Sequence, residues 1–141
     1  MADIAGSASQ RALPLPDHVS KTYWDATTRG ELLIQRCPSC GHFQFYPRAA
    51  CTQCGTEPEW VQASGRGTLH TYTVIGQNRS APFDALVPYV VAIVELDEGP
   101  RMMTNIIGCD PADVTIGMAL EVELVPAAPD VSLPFWRPAR D

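Results

Sequence analysis

Beyond Trp60 the chain is a series of short apolar runs separated by Gly, Pro and Asp. WVQAS (60–64) precedes the tight bend Gly65-Arg66-Gly67. TLHTYTVIG (68–76) alternates, with His70, Tyr72 and Val74 on one face and Leu69, Thr71 and Thr73 on the other. PYVVAIVEL (88–96) is a near-continuous β-branched run, the pattern of a central strand covered on both faces. DEGPR (97–101) reads as a hairpin turn, MMTNIIG (102–108) as the returning strand, and CDPADVTIGM (109–118) as a longer link. ALEVELV (119–125) then places Leu120, Val122 and Leu124 inward and Glu121 and Glu123 outward. These strands, with the longer connection before the last, predict a five-stranded Greek-key barrel of OB type over 60–126, with a simple meander sheet as the weaker alternative. The proline-broken remainder, 127–141, reads as a C-terminal tail.

The first 59 residues follow a different pattern. Residues 1–16 are small, polar and proline-containing, which predicts a flexible arm. Residues 17–30 predict a short helix, with Asp17 or Ser20 as N-cap and Gly30 at the C-terminal cap. Val19, Tyr23, Ala26 and Thr27 share one of its faces and Trp24 flanks them. ELLIQR (31–36) and HFQFYPR (42–48) read as two strands, Phe43 and Phe45 alternating against Gln44.

These strands frame two Cys-x-x-C pairs, Cys37/Cys40 and Cys51/Cys54, each followed at once by a glycine. Two such knuckles present four thiolates to one tetrahedral Zn²⁺, and a glycine with positive φ closes each turn. Residues 31–59 therefore predict a rubredoxin-like zinc ribbon. Its interior is too small for a core, so the metal is expected to supply folding energy. Four cysteines leave no open coordination position, which makes the expected zinc structural. The fold class is mainly β: helix, zinc ribbon, then barrel.

Composition narrows the function. Apolar residues make up 45% and charged residues 18% of the 141, which are globular values. No apolar run approaches the roughly 20 residues that span a bilayer, and the N-terminus lacks a secretory pattern. The expected location is cytoplasmic, where paired Cys-x-x-C turns bind metal rather than form disulfides. Cys109 stands alone and reads as a small, buried apolar residue. The net charge is −6; residues 67–141 carry four basic and ten acidic side chains and account for all of it. An acidic barrel is a poor match for nucleic acid.

No phosphate-binding Gly loop or Gly-x-Ser-x-Gly elbow is present, and His18, His42 and His70 read as ordinary surface or core histidines. No nucleophile, base and oxyanion site can be assembled, so no catalytic residue is assigned. A binding role remains. Arg29, Arg36, Arg48 and Arg66 fall around the helix–ribbon–barrel junction. With Tyr23, Trp24, Phe45 and Tyr46 they are the candidates for holding a phosphorylated, adenine-bearing ligand or a partner. Dispersed surface arginines are the competing reading.

YWDATTRGELLIQRCPSCGHFQFYPRAACTQCG, ASGRGTLHTYTVI and PYVVAIVELDEGPRMMTNIIGCDPADVTIGM together cover most of residues 23–118. In this order they resemble the zinc-ribbon-plus-OB-fold proteins known as domain of unknown function thirty-five, the acyl-CoA-associated family. The resemblance implies a non-catalytic companion of a thiolase-fold enzyme (thiolase, acyltransferase or steroid side-chain aldolase) or of a MaoC-type hydratase. Such a companion stabilises a hetero-oligomer and helps bind its acyl-CoA. It also implies that Cys37, Cys40, Cys51 and Cys54 hold the zinc. The alternatives are a free-standing acyl-CoA-binding protein and, with less support, a nucleic-acid-binding OB module. The acyl chain, the enzyme partner and the stoichiometry are not specified by the residues.

Overall fold

In the computed structural model, residues 4–140 are described. The β-branched run around residue 90 forms β5 (Tyr89–Leu96), with Val90, Ala92, Val94 and Leu96 facing the interior. Strand β4 (Arg66–Ile75) pairs with it antiparallel from Gly67↔Leu96 to Ile75↔Tyr89. A register shift between Leu69 and Thr71 places a bulge at His70. The bulge resets the alternation expected for this strand: Leu69 is buried and Tyr72 packs on the same core, although the simple pattern puts them on opposite faces. Gly67 is the one residue that fits where β4 bends, since a Cβ there would lie 2.5 Å from the Glu95 carbonyl oxygen.

β6 (Arg101–Ile106) returns antiparallel to β5 after the predicted turn. β7 (Ala119–Ala128) follows the link, which holds one 3₁₀ turn capped by the Asp110 carboxylate on the Ala112 N–H. Leu120 is inward as expected, and Val122 packs on the core.

The closing strand is β8 (Val131–Pro138), from the segment expected to be a tail. The barrel is closed in the order β4-β5-β6-β8-β7. β8 pairs antiparallel with β7 from Leu120↔Pro138 to Ala128↔Val131, and parallel with β6 at Ile106↔Trp136 alone. That nearly unpaired side is why a strand with Pro134 and Pro138 is tolerated. Phe135 and Trp136 are among the most deeply buried large side chains, so the tail is core.

Residues 60–64 do not enter the barrel. β3 (Glu59–Gln62) joins β1 (Leu33–Arg36) and the two-residue β2 (Phe43–Gln44) in a separate sheet of order β2-β1-β3. Periodicity identifies a strand at 60–62 but not its partner; the ladder from Leu33↔Gln62 to Arg36↔Glu59 decides it. The ribbon, too small for a core of its own, shares that of the barrel. Leu32 and Ile34, with Phe43, Phe45, Trp60 and Val61, pack in one apolar cluster with Leu69, Val94 and Trp136 of the barrel.

Helix α1 (Lys21–Thr27) buries Tyr23, Ala26 and Thr27 against β1 and β8. Asp17 caps the preceding turn, accepting from the backbone N–H groups of Val19 and Ser20. Thr27 Oγ1 accepts from the Ser132 N–H at 3.1 Å, tying the helix to β8. Of the expected flexible arm, residues 1–3 lie outside the described region. Ala5–Gln10 form a 3₁₀ helix packed on β7, with Ile4 and Ala8 buried in a second apolar cluster. Ile4 and Ala8, with the buried Ser7 and the Arg11 contacts, dock a segment that composition alone marks as an arm. No helix among the described residues is long and apolar enough to cross a membrane.

Because β8 completes the barrel, removing residues 129–141 should abolish the cooperative thermal transition seen by far-UV circular dichroism. Trp136→Ala in the full chain should cost about 3–5 kcal/mol in urea unfolding.

Candidate metal centre and aromatic cleft

The two knuckles share one backbone design. The Cys37 N–H donates to the His42 carbonyl at 2.8 Å and the Gly41 N–H to the Cys37 carbonyl at 2.9 Å. The Cys51 N–H donates to the Thr56 carbonyl at 2.7 Å and the Gly55 N–H to the Cys51 carbonyl at 2.9 Å. Gly41 and Gly55 have φ of 76° and 81°, the left-handed region in which the turn closes. The Cys40 and Gln53 N–H groups donate to the sulfurs of Cys37 and Cys51, each at 3.4 Å.

All four Sγ atoms lie within 4.8 Å of one another, with Cys37–Cys54 at 3.4 Å and Cys40–Cys51 at 3.6 Å. Four sulfurs at about 2.3 Å from a tetrahedral zinc stand about 3.8 Å apart, so the residues fit the ion. The sulfurs also need a cation electrostatically. Hydrogen bonding with Thr56 brings the Cys54 thiol down to about 6. The His42 backbone contact lowers Cys40, but desolvation and the other three sulfurs outweigh it and carry that thiol to about 12. Four thiols this close do not all ionise unless a metal balances them.

Two buried glutamines hold the knuckles in place, and hydrophobic patterning did not single them out. Gln35 Oε1 accepts from Gln44 Nε2 and from the Arg48 N–H, both at 2.8 Å, and Gln35 Nε2 donates to the Arg48 carbonyl at 2.8 Å. Gln44 Oε1 accepts from the Thr52 N–H at 3.0 Å. A polar residue at an inward strand position, beside a loop with unpaired backbone groups, is the signal that could have found them.

The aromatic candidates do converge. Tyr23 packs edge-to-face on Trp24 with centroids 4.8 Å apart, Phe45 lies 5.4 Å from Tyr23, and Tyr46 lies 4.4 Å from Phe45. Together they wall a cleft of about 440 Å³ between helix, ribbon and barrel. Its far wall is β6 at Met102–Asn105 and β8 at Leu133–Phe135. The Met103 N–H donates to the Tyr46 phenol oxygen at 3.2 Å, joining ribbon to barrel, and both side chains remain exposed. Burial pushes the Tyr23 phenol above its ordinary range, so it stays neutral.

The arginine candidates do not converge. Arg29 pairs with Glu31 at 3.2 Å, Arg36 with Glu59 at 3.6 Å and Arg66 with Glu121 at 3.9 Å. Arg48 borders a separate small hollow with His18, Glu57 and Trp60. The arginine of the aromatic cleft is Arg11, in the segment read as an arm. Its guanidinium lies 5.1 Å from the Phe83 ring and 5.2 Å from the Phe135 ring, and Nη1 donates to Asn105 Oδ1 at 3.3 Å. Cys109 is partly buried against the core, and desolvation, with Asp113 and Asp110, raises its thiol, the environment of an unreactive cysteine.

The family descriptions "ChsH2, rubredoxin-like zinc ribbon domain" and "ChsH2, C-terminal OB-fold domain" match residues 24–59 and 60–125. The chain is also 38% identical over 107 residues to a DUF35 domain-containing scaffold protein of Methanothermobacter thermautotrophicus, covering 74% of this chain and 78% of that one. The chain belongs to the ChsH2/DUF35 family. A probable enoyl-CoA hydratase alpha subunit of Thermomonospora curvata is 35% identical over 130 residues, which are 92% of this chain but 40% of that protein. The ChsH2 unit here thus spans less than half of that longer relative. Among solved structures, one described as the Ltp2-ChsH2(DUF35) aldolase superposes with a TM-score of 0.79 at 34% identity, covering 89% of this chain and 98% of that one. In this family setting the four-cysteine cluster is a zinc-ribbon site for one ion.

The purified chain should contain one zinc per molecule by elemental analysis, and Cys37→Ser should lose it. Thiolate ligands must shed protons to bind, so zinc retention against a chelator should weaken steadily as pH falls from 8 to about 5. The variant should also melt at lower temperature, because the ribbon sheet shares the barrel's core.

Proposed function

We propose that this chain is a non-catalytic accessory subunit, which binds and stabilises a thiolase-fold enzyme or hydratase and helps it bind acyl-CoA. The observation that carries this reading is the superposition of 89% of the chain on a chain of the Ltp2-ChsH2(DUF35) aldolase at 34% identity. The scaffold name of one relative and the hydratase-subunit name of another point the same way.

Within that reading the ribbon supplies a rigid presentation surface. Tyr46 and Met103 are exposed, and the Tyr46 ring is anchored by its phenol on the Met103 backbone N–H. Leu13 and Leu15 are exposed on the segment that joins Arg11 to the helix. Large apolar side chains held rigid before association contribute most to an interface, since little side-chain freedom is then lost. A thiolase or aldolase type of partner, and direct contact of this chain with CoA, are the finer parts of the proposal. Tyr23, Trp24, Phe45 and Tyr46 would make that contact at the cleft. Arg29, Arg36 and Arg66 would contribute by exchanging their glutamates for phosphate, and Arg48 from the neighbouring hollow.

The aromatic cleft favours a second reading, a free-standing acyl-CoA binder. Co-expression with the products of neighbouring genes separates the two. Retention of a thiolase-fold or hydratase partner through affinity and size-exclusion steps is the expected result. Micromolar binding of CoA esters by the isolated chain, with no partner retained, would favour the binder instead. Tyr46→Ala is expected to weaken partner retention by about tenfold or more, measured as dissociation constant, while leaving the melting temperature within a few degrees.

A further inference from the structure

Arg11 is placed unlike any other cation in the described chain. Its guanidinium is desolvated between the Phe83 and Phe135 rings, and its single hydrogen-bond partner is the Asn105 side-chain oxygen, reached by Nη1. Nε and Nη2 are buried with no acceptor, and none of the ion pairs among the described residues includes this arginine. Leaving such N–H groups unmet is costly, and native structures rarely do so without a reason.

The two unmet groups are adjacent on one edge of the guanidinium. That edge is the fork that meets both oxygens of a carboxylate in two parallel hydrogen bonds. Arg11 also lines the 440 Å³ cleft, whose other walls are mostly aromatic and aliphatic. An apolar cavity of this size with one convergent polar group is the usual form of a small-molecule site. We infer that the cleft binds a small apolar monocarboxylate, its hydrocarbon part against Tyr23, Trp24 and Phe45 and its carboxylate on the Nε/Nη2 edge of Arg11.

A single negative charge suits the site. The one unpaired cation is neutralised by a carboxylate, whereas a dianionic phosphate would leave one charge buried without a partner. Partial burial lowers the Arg11 pKa from its ordinary value, and Tyr89 offsets part of that shift, so an anion at the guanidinium would add to a compensation that is incomplete. Nε and Nη2 are closed off from water, so binding includes a small opening at this end of the cleft.

Trp24 in the cleft wall makes the test direct on the unmodified, zinc-loaded chain. Octanoate, 1-octanol and octylamine are titrated at neutral pH while tryptophan fluorescence and calorimetric heat are followed. Octanoate is expected to bind saturably, with octanol weaker by about tenfold or more and octylamine weaker still. Equal affinity for octanoate and octanol, or no octanoate binding up to roughly 10 mM, overturns the inference. Arg11→Gln should reduce octanoate affinity to that of octanol, and Arg11→Lys should restore only part of it, because a lysine cannot form the fork. Retained octanoate selectivity in Arg11→Gln would also overturn it. The inference stands apart from the accessory-subunit reading: ligand titration on the isolated chain reads one and co-purification reads the other.

Discussion

Everything in this molecule depends on one shared apolar contact. The ribbon sheet, too small to bury a core of its own, lays Leu32, Ile34 and Trp60 against the barrel at Leu69, Val94 and Trp136. Helix α1 wedges Tyr23 into the same cluster, and Thr27 ties it to β8. Helix, ribbon and barrel are therefore one packed body rather than modules in a row. The cleft is what remains where their surfaces diverge, so its shape is set by core packing and not by a mobile loop.

That contact explains which expectations survive. The four cysteines were legible because metal geometry is local: two turns, two glycines and a spacing specify it. Strand β5 was legible as a continuous β-branched run and β7 by its alternation, and a five-stranded OB-type barrel was expected, but with 60–64 counted as a strand where the structure has β8. The partner of 60–62 and the closure by β8 were not legible, because both are choices between distant segments. The sequence near 131–138 carries Pro134 and Pro138, which locally argue against a strand; the near-absence of pairing toward β6 removes that objection. The bulge at His70 likewise arises from fitting β4 to both β5 and β7, a constraint no run of ten residues contains.

The site was legible in part for the same reason. Aromatic residues before and within the ribbon converge because each is also a packing residue, so the pattern that marks core also marks cleft. Charge followed no such rule. Arg29 pairs with a carboxylate two residues on, Arg36 with Glu59 across the ribbon sheet and Arg66 with Glu121 on β7, while Arg11 sits in a segment whose composition reads as an arm. A lone arginine in a polar, proline-containing stretch carries no sign that Phe83 and Phe135 will enclose it.

The metal's part in this arrangement changes accordingly. A ribbon without a core would need zinc to fold at all, but here the sheet already has a buried face. The knuckles have no apolar packing of this kind and are held by hydrogen bonds with Gln35, Gln44 and the turn glycines. Clamping four thiolates fixes the Cys37 and Cys51 turns, between which runs the segment that carries Phe45, Tyr46 and Arg48. The Tyr46 phenol then reaches the Met103 N–H on the outer edge of β6. Zinc thereby acts at a distance from the cleft, holding one of its walls in register with the barrel. A closed four-sulfur site has no coordination position to offer a substrate, so this positioning is the contribution its chemistry allows.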